Sequence, residues 1–463
     1  MNLNNQQLIF KQAKSKITWT NNTNLIIFAF VTVFYARIFC SLTHAPSILS
    51  HVHFVIIPLV FWIILTTAPT KDAKQIKLIY SLLFGLFLFF ITILASAFWN
   101  EAGFINAIVS FMMLGEPIMF LTAIIIIPMS AASCLKVKKW LIWSAAINFI
   151  LAAVQKPLID AEKLYAEGFN GTDGCGGVFF VSGAGNYISA SVSLAFALYF
   201  FNEKKFPFLI RLAALIAAFW QLLFSDSKQL ILAYVVAWIL LILLNSQDLS
   251  KTIRLMIGIL IFGLVFFWCI QNLEGFSSFT AWARPELYQK DGEAWYAKFY
   301  GVHSILENFK SSLNWFFGLG PGHTVSRLGA WFIIDYWHIL APFGATYTSI
   351  GTDAIRFVSG FWLTSGSSIF SPIFGWAGIW GDLGLLGLGA YLFLAYLVWQ
   401  NFGLDSSLKV TLLSILVLGF IFTQMEEPGY MISISLLLGI AWQEQRLKLK
   451  EKQRRYPRLQ PTS

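Results

Sequence analysis

Six polar side chains in the stretches between apolar runs have types and spacings suited to chemistry. Lys228 follows Ser225-Asp226-Ser227, Arg284 follows Trp282 and precedes Pro285-Glu286, and Arg327 stands five residues after Gly322. A guanidinium offers a planar fork of donors and an ammonium a compact charge, and either can hold an anionic group. His323 follows a glycine turn, where a backbone can approach a ligand closely. Asp335 and His338 are three residues apart, so on a helix they share a face and the carboxylate can orient an imidazole to take a proton. Each has a plainer alternative. Lys228 can snorkel from a span end into interfacial water, Arg284 can pair with Glu286, and Asp335–His338 can cap a surface helix. Asp353 and Arg356 repeat the i, i+3 spacing of a surface ion pair. Arg37 and Glu116 are charges inside apolar runs, a functional signal by default; snorkelling and a polar contact at the Glu116-Pro117 kink are their structural alternatives. His44, His51 and His53 form no closed ligand set, the four cysteines show no CxxC pair, and no metal dependence is implied.

The elements that must position these groups are membrane helices. Hydrophobic residues make up 57% of the 463 positions and charged residues 12%, with a mean hydropathy of +0.68. A soluble domain carries about 25% charged residues. Twelve apolar runs fall near 24–41, 53–69, 78–98, 104–131, 140–155 and 184–201, then 208–224, 230–245, 255–271, 376–400, 410–424 and 430–443. About 20 apolar residues cross a bilayer core, so the expected fold is an all-α integral membrane protein of about twelve spans. With the N-terminus inside, the inner segments hold 22 of the 32 basic residues, which predicts that both termini are cytoplasmic. The net charge of +9 is spread over short loops near anionic lipid; no basic stripe with interleaved aromatics points to nucleic acid. The expected layout is spans one to nine over 1–271, a large extracytoplasmic loop over 272–375, spans ten to twelve over 376–443 and a basic cytoplasmic tail over 444–463. A loop of that length is expected to be partly helical and to carry a lid or binding element.

Three local patterns add to this layout. Ser225-Asp226-Ser227-Lys228-Gln229-Leu230 opens the eighth run, Phe317-Gly318-Leu319-Gly320-Pro321-Gly322-His323 lies in the large loop, and Gly381-Asp382-Leu383-Gly384-Leu385-Leu386-Gly387 enters the tenth. In this order and on this topology the chain resembles the O-antigen ligase and Wzy-type polymerase superfamily. That resemblance implies a multi-pass glycosyltransferase of the bacterial inner (plasma) membrane. Such an enzyme polymerises polyprenyl-diphosphate-linked repeats at the outer face, for exopolysaccharide, capsule or O-antigen. Its partners would be the lipid-linked glycan donor, a glycan acceptor, membrane lipid and a chain-length regulator, with no cofactor. It also implies diphosphate binding by Lys228, Arg284 and Arg327, with His323, His338 and Asp335 as catalytic candidates. Two departures are visible. Lys228 stands where the family usually has arginine, keeping the charge without the bidentate fork. Ile373-Phe374 stand where the ligase pattern has a His-Asn pair, which favours polymerase over ligase and leaves the general base open. Ligase-type transfer is one alternative; transport or flipping without covalent chemistry is another, though no matching pair of Gly/Pro-broken spans marks two halves.

Overall fold

A computed structural model of the chain describes residues 22–70, 72–164, 174–180, 184–244, 249–273, 276, 279–280, 284–289, 292–366 and 368–455. The basic residues before position 22, part of the glycine-rich 171–177 stretch and the last eight residues of the basic tail lie outside them. Among the described residues there is no strand.

Each apolar run is met by helix. The first is a pair, α1 (Asn22–Phe34) and α2 (Ala36–Thr43), bent by 55°. Next come α3 (His53–Thr67), α4 (Ala73–Trp99), α5 (Phe104–Ile126) and α6 (Ala131–Asp160). They are followed by α7 (Gly185–Phe201), α8 (Phe208–Phe224), α9 (Gln229–Leu244) and α10 (Leu249–Asn272). Within the long loop lie α11 (Glu293–Asn308) and α12 (Ile350–Val358), and beyond it α13 (Gly375–Phe402), α14 (Ser406–Leu418) and α15 (Pro428–Arg455). Among the described residues, five helices are long and apolar enough to cross a membrane, six if α1 and α2 count as one, and five more are shorter and apolar. Large apolar side chains such as Trp62, Phe84, Phe98, Leu209 and Trp220 are exposed, a surface that water does not tolerate at this extent but lipid does. These are the marks of an all-α membrane protein.

Helix α5 is the central post: 78% of its most apolar window is buried, and α3, α4 and α15 pack around it. The two ends of the bundle differ in chemistry. At one end Asp72, Ser130 and Asp405 cap α4, α6 and α14 by accepting backbone N–H bonds, as short polar side chains do at helix starts. There too Lys138 pairs with Glu203 and Glu444 at 2.6 and 2.7 Å. Arg446 donates to Gln75 Oε1 at 2.8 Å, so the stretch expected as a solvated tail after 443 begins as a continuation of α15 packed on the bundle. At 1.5 Å per residue the start of α15 lies about 27 Å away, at the opposite end.

Two local breaks depart from the simple span pattern. The eleventh run, expected through 424, stops being helical at Leu418. Gly375 and Trp376 at the start of α13 need acceptors for their free N–H groups, and the carbonyls of Phe422 and Gly419 supply them at 2.9 and 3.1 Å. The second break is Gly384, with φ +65° inside α13. A Cβ there would lie 2.4 Å from the carbonyl of Phe316, so only glycine lets the long loop dock on this helix.

Candidate functional site

That docking joins two of the three motifs. Leu319 N–H donates to Gly381 O at 2.8 Å and Gly320 N–H to Asp382 O at 3.0 Å. The Asp382 carboxylate accepts from Gly322 N–H at 2.8 Å, Thr324 N–H at 2.9 Å and the Thr324 hydroxyl at 2.6 Å. Ser96 closes the clasp from α4, donating to Asp382 O and Phe317 O at 2.8 and 2.6 Å. Gly318, Gly320 and Gly322 all take positive φ, which fits the tight path of this segment. The clasp ends three residues before Arg327, which starts a π-helical turn, Leu328–Phe332.

Beside Arg327 is a cavity of about 430 Å³. Arg37 of α2, His51 before α3, and Tyr187 and Ile188 of α7 form one side. Arg327, Trp331, Phe332, Asp335 and Tyr336 form another, and Ser371, Ile373 and the 422–427 link close it. The link residues reach the cavity because α14 ends early. Lys298 of α11 anchors both neighbouring segments, donating to Ser371 O at 3.0 Å and Ile421 O at 2.9 Å. Burial pushes its ammonium down to about 7.

The charges in this cavity are unequally satisfied. Arg327 is buried, with Nη1 at 2.9 Å from Glu427 Oε2 and from Glu426 O. Its backbone N–H donates to Glu426 Oε2 at 2.8 Å, while Nε and Glu426 Oε1 have no hydrogen-bond partner. Burial pushes the Glu426 carboxyl up to about 8, and the side-chain ion pair of Arg327 is with Glu427. Arg37 makes no hydrogen bond or ion pair among the described residues. Two guanidiniums thus share the space with the one buried carboxylate that contacts a guanidinium nitrogen, and Asp335 stands at the exposed edge, its carboxyl raised by burial. An unpaired cation at a span end next to a second cation is an anion-binding arrangement.

The remaining candidates sit elsewhere. Lys228 is buried and 2.8 Å from Asp226. It does not line the cavity; its motif braces the α7 wall, where Asn186 donates to Ser225 O at 3.0 Å and Gln229 donates to the Tyr187 hydroxyl at 3.4 Å. Arg284 is exposed, 5.9 Å from the Trp362 ring centre. His323 is buried, with Nδ1 at 2.9 Å from Leu319 O and Nε2 at 2.8 Å from Thr346 Oγ1. Burial lowers its pKa; Nδ1 serves the glycine turn, and Nε2 ties that turn to Thr346. Asp335 and His338 are split by a helix break at Tyr336; Asp335 lines the cavity and His338 does not. Of the six, then, the cavity gathers Arg327 and Asp335. It adds Arg37, visible in sequence as a charge inside an apolar run, and Glu427, foreshadowed only by two adjacent acids in an apolar setting. His51 was read in sequence only as one of three histidines that form no closed ligand set. Beneath it His53 Nδ1 lies 2.9 Å from both oxygens of the fully buried Glu116, the polar contact at the Pro117 kink.

Known protein-family models give no match to the sequence, and no curated protein matches it.

Proposed function

We propose that the cavity holds the diphosphate of a polyprenyl-linked glycan and that the chain is a Wzy-type polymerase. It joins lipid-linked oligosaccharide repeats at the outer face of a bacterial plasma membrane. The observation that carries this is Arg37, an unpartnered guanidinium facing the same cavity as the buried Arg327. When the anomeric bond to a diphosphate breaks, negative charge develops on the leaving oxygen. Fixed cations stabilise it strongly where water is scarce.

The order of the three motifs supports the same assignment, as does the bundle's polarity. The cavity lies at the end opposite Lys138 and Arg446, and positive loops favour the cytoplasmic side. Twelve helices crossing in alternation, with both termini inside, put Arg37, Arg327 and the long loop outside. Ile373 lines the cavity at the position of the ligase histidine, which favours polymerase over ligase.

The test is reconstitution of purified protein in vesicles with a synthetic lipid-linked repeat, with products sized on a gel. A ladder of extended glycans is expected. Flux of the lipid-linked repeat across the vesicle membrane with no extension would replace polymerisation by transport.

A further inference from the structure

We propose that a cleft between α6, α7 and α8 binds one anionic phospholipid from the leaflet at the Lys138 end of the bundle. The cleft is separate from the cavity of Arg37 and Arg327, which lies at the opposite end. It does not rest on the transfer function above.

The cleft has a volume of about 250 Å³. Its walls are apolar and mostly small: Ala146 and Phe149 of α6, Phe196 and Ala197 of α7, Ala214 and Ala218 of α8. The one hydroxyl in it, Ser193 Oγ, accepts from Asn148 Nδ2 at 2.9 Å, so the walls offer little to a sugar or a nucleotide. Beside the opening, Trp143 and Ile147 of α6 and Ile210 and Ile216 of α8 are exposed. Such a rim faces lipid, not water. Arg211 and Ala218 both line the cleft and stand seven residues apart on α8, a run of about 10 Å. That is about two thirds of the ~15 Å of hydrocarbon in one leaflet. Toward the midplane Phe149 packs on Trp220 and Phe224 at 6.2 and 6.4 Å. The shape suits an acyl chain.

The entrance selects the head group. Arg211 is the one charged residue lining the cleft. Its Nη1 donates to Phe201 O at 2.5 Å, and the rings of Phe201 and Phe208 flank the guanidinium at 5.7 and 5.8 Å. The charge is therefore held at the cleft and has no acidic partner among the described residues. Nε is enclosed, which leaves Nη2, unbonded and not enclosed, to meet a ligand. Lys204 and Lys205 are exposed on the link just before Phe206, another lining residue. The one acid of that link, Glu203, is taken by Lys138 at 2.6 Å. Uncompensated positive charge over an apolar slot suits a phosphate with no cation of its own. A phosphatidylglycerol head group meets that condition, and a phosphatidylcholine head group, which carries its own ammonium, does not.

The full-length protein is taken from nanodiscs of phosphatidylglycerol and phosphatidylcholine with matched acyl chains, and the lipids it retains are counted by native mass spectrometry. Wild type is expected to keep one phosphatidylglycerol in preference to phosphatidylcholine. A hydrogen bond to a charged group is worth about 10–150-fold in affinity. Arg211→Gln is therefore expected to lose at least ~10-fold of the preference while still holding a lipid of either kind. Ala214→Leu fills the cleft from a position that is already exposed, so assembly is not at stake, and it is expected to hold neither lipid. Equal retention of the two lipids by wild type overturns the proposal, as does a preference that survives Arg211→Gln or falls only in Lys204→Gln/Lys205→Gln. Undiminished retention in Ala214→Leu places the lipid elsewhere and overturns it too. So does a dimer that Ala214→Leu splits, which would make the cleft a contact between two copies of the chain.

Discussion

Arg37 and Arg327 face one cavity yet stand in opposite energetic positions, and replacing each by alanine separates binding from folding. Arg327→Ala leaves Glu427 buried without its partner at 7% side-chain exposure. Removing one member of a buried ion pair costs about 3–5 kcal/mol, a large part of a typical total of about 5–15 kcal/mol. Removing Glu427 as well takes away the orphaned charge, so Arg327→Ala/Glu427→Ala is expected to regain much of that loss. Arg37 makes no hydrogen bond or close ion pair whose loss would strand a buried charge, so Arg37→Ala is expected to cost clearly less stability than Arg327→Ala. Its loss appears in binding instead. A hydrogen bond to a charged group contributes about 1.5–3 kcal/mol. At 1.4 kcal/mol per tenfold, the diphosphate lipid is then bound about 10–150-fold more weakly. Thermal unfolding and donor titration on the same nanodisc preparations measure both quantities. Wild-type donor affinity in Arg37→Ala, or destabilisation equal to that of Arg327→Ala, would refute the assignment of Arg37 as the free anion contact.

Three further outcomes are expected. Gly384→Ala forces a left-handed backbone on a residue with a Cβ and drives that Cβ to 2.4 Å from Phe316 O; thermal unfolding should show a loss of at least ~2 kcal/mol. His323→Ala should cost about 1 kcal/mol per lost hydrogen bond while single-turnover transfer by the folded fraction is unchanged. Because the fold lowers the His323 pKa, its contribution is complete above the ordinary value of about 6.5 and is lost as pH falls below it, a dependence that unfolding curves of His323→Ala should lack. Glu426 behaves oppositely. Its folded carboxyl is raised from 4.5 to about 8, so the folded state holds a proton that the unfolded chain releases, and stability falls as pH rises through that window. Glu426→Gln should flatten this slope in unfolding measured from pH 5 to 9.

Helices were the most legible part of the chain, because bilayer length and apolarity are properties of contiguous residues. A helix lies at each of the twelve runs, the eleventh only as far as Leu418, and five of these helices, or six with α1 and α2 as one, are long and apolar enough to cross a membrane. The break after Leu418 was not legible, since its cause is a pair of N–H groups on α13 some forty residues earlier. The site divided along the same line. Arg327 and Asp335 could be found from their neighbours in sequence. Arg37 was visible as a charge out of place, but nothing nearby said that it meets a residue 290 positions away. His323 looked like a base because it follows glycines, yet the fold uses the ring to hold those glycines in place. His51 became distinctive only when Phe332 and Tyr336, from one segment about 280 positions away, closed around it beside its near neighbour Phe54.

The clasp on Asp382 also decides what travels during a reaction cycle. Five donors from the loop and from α4 end on the carboxylate and carbonyl of one helix residue, and Arg327 follows three positions after the last of the loop donors. A guanidinium moored so close to a lipid-embedded helix cannot sweep through solvent to collect cargo. For the lipid-linked donor proposed above, a stationary receiver makes two-dimensional encounter in the plane of the bilayer, rather than loop closure, the expected first event of binding.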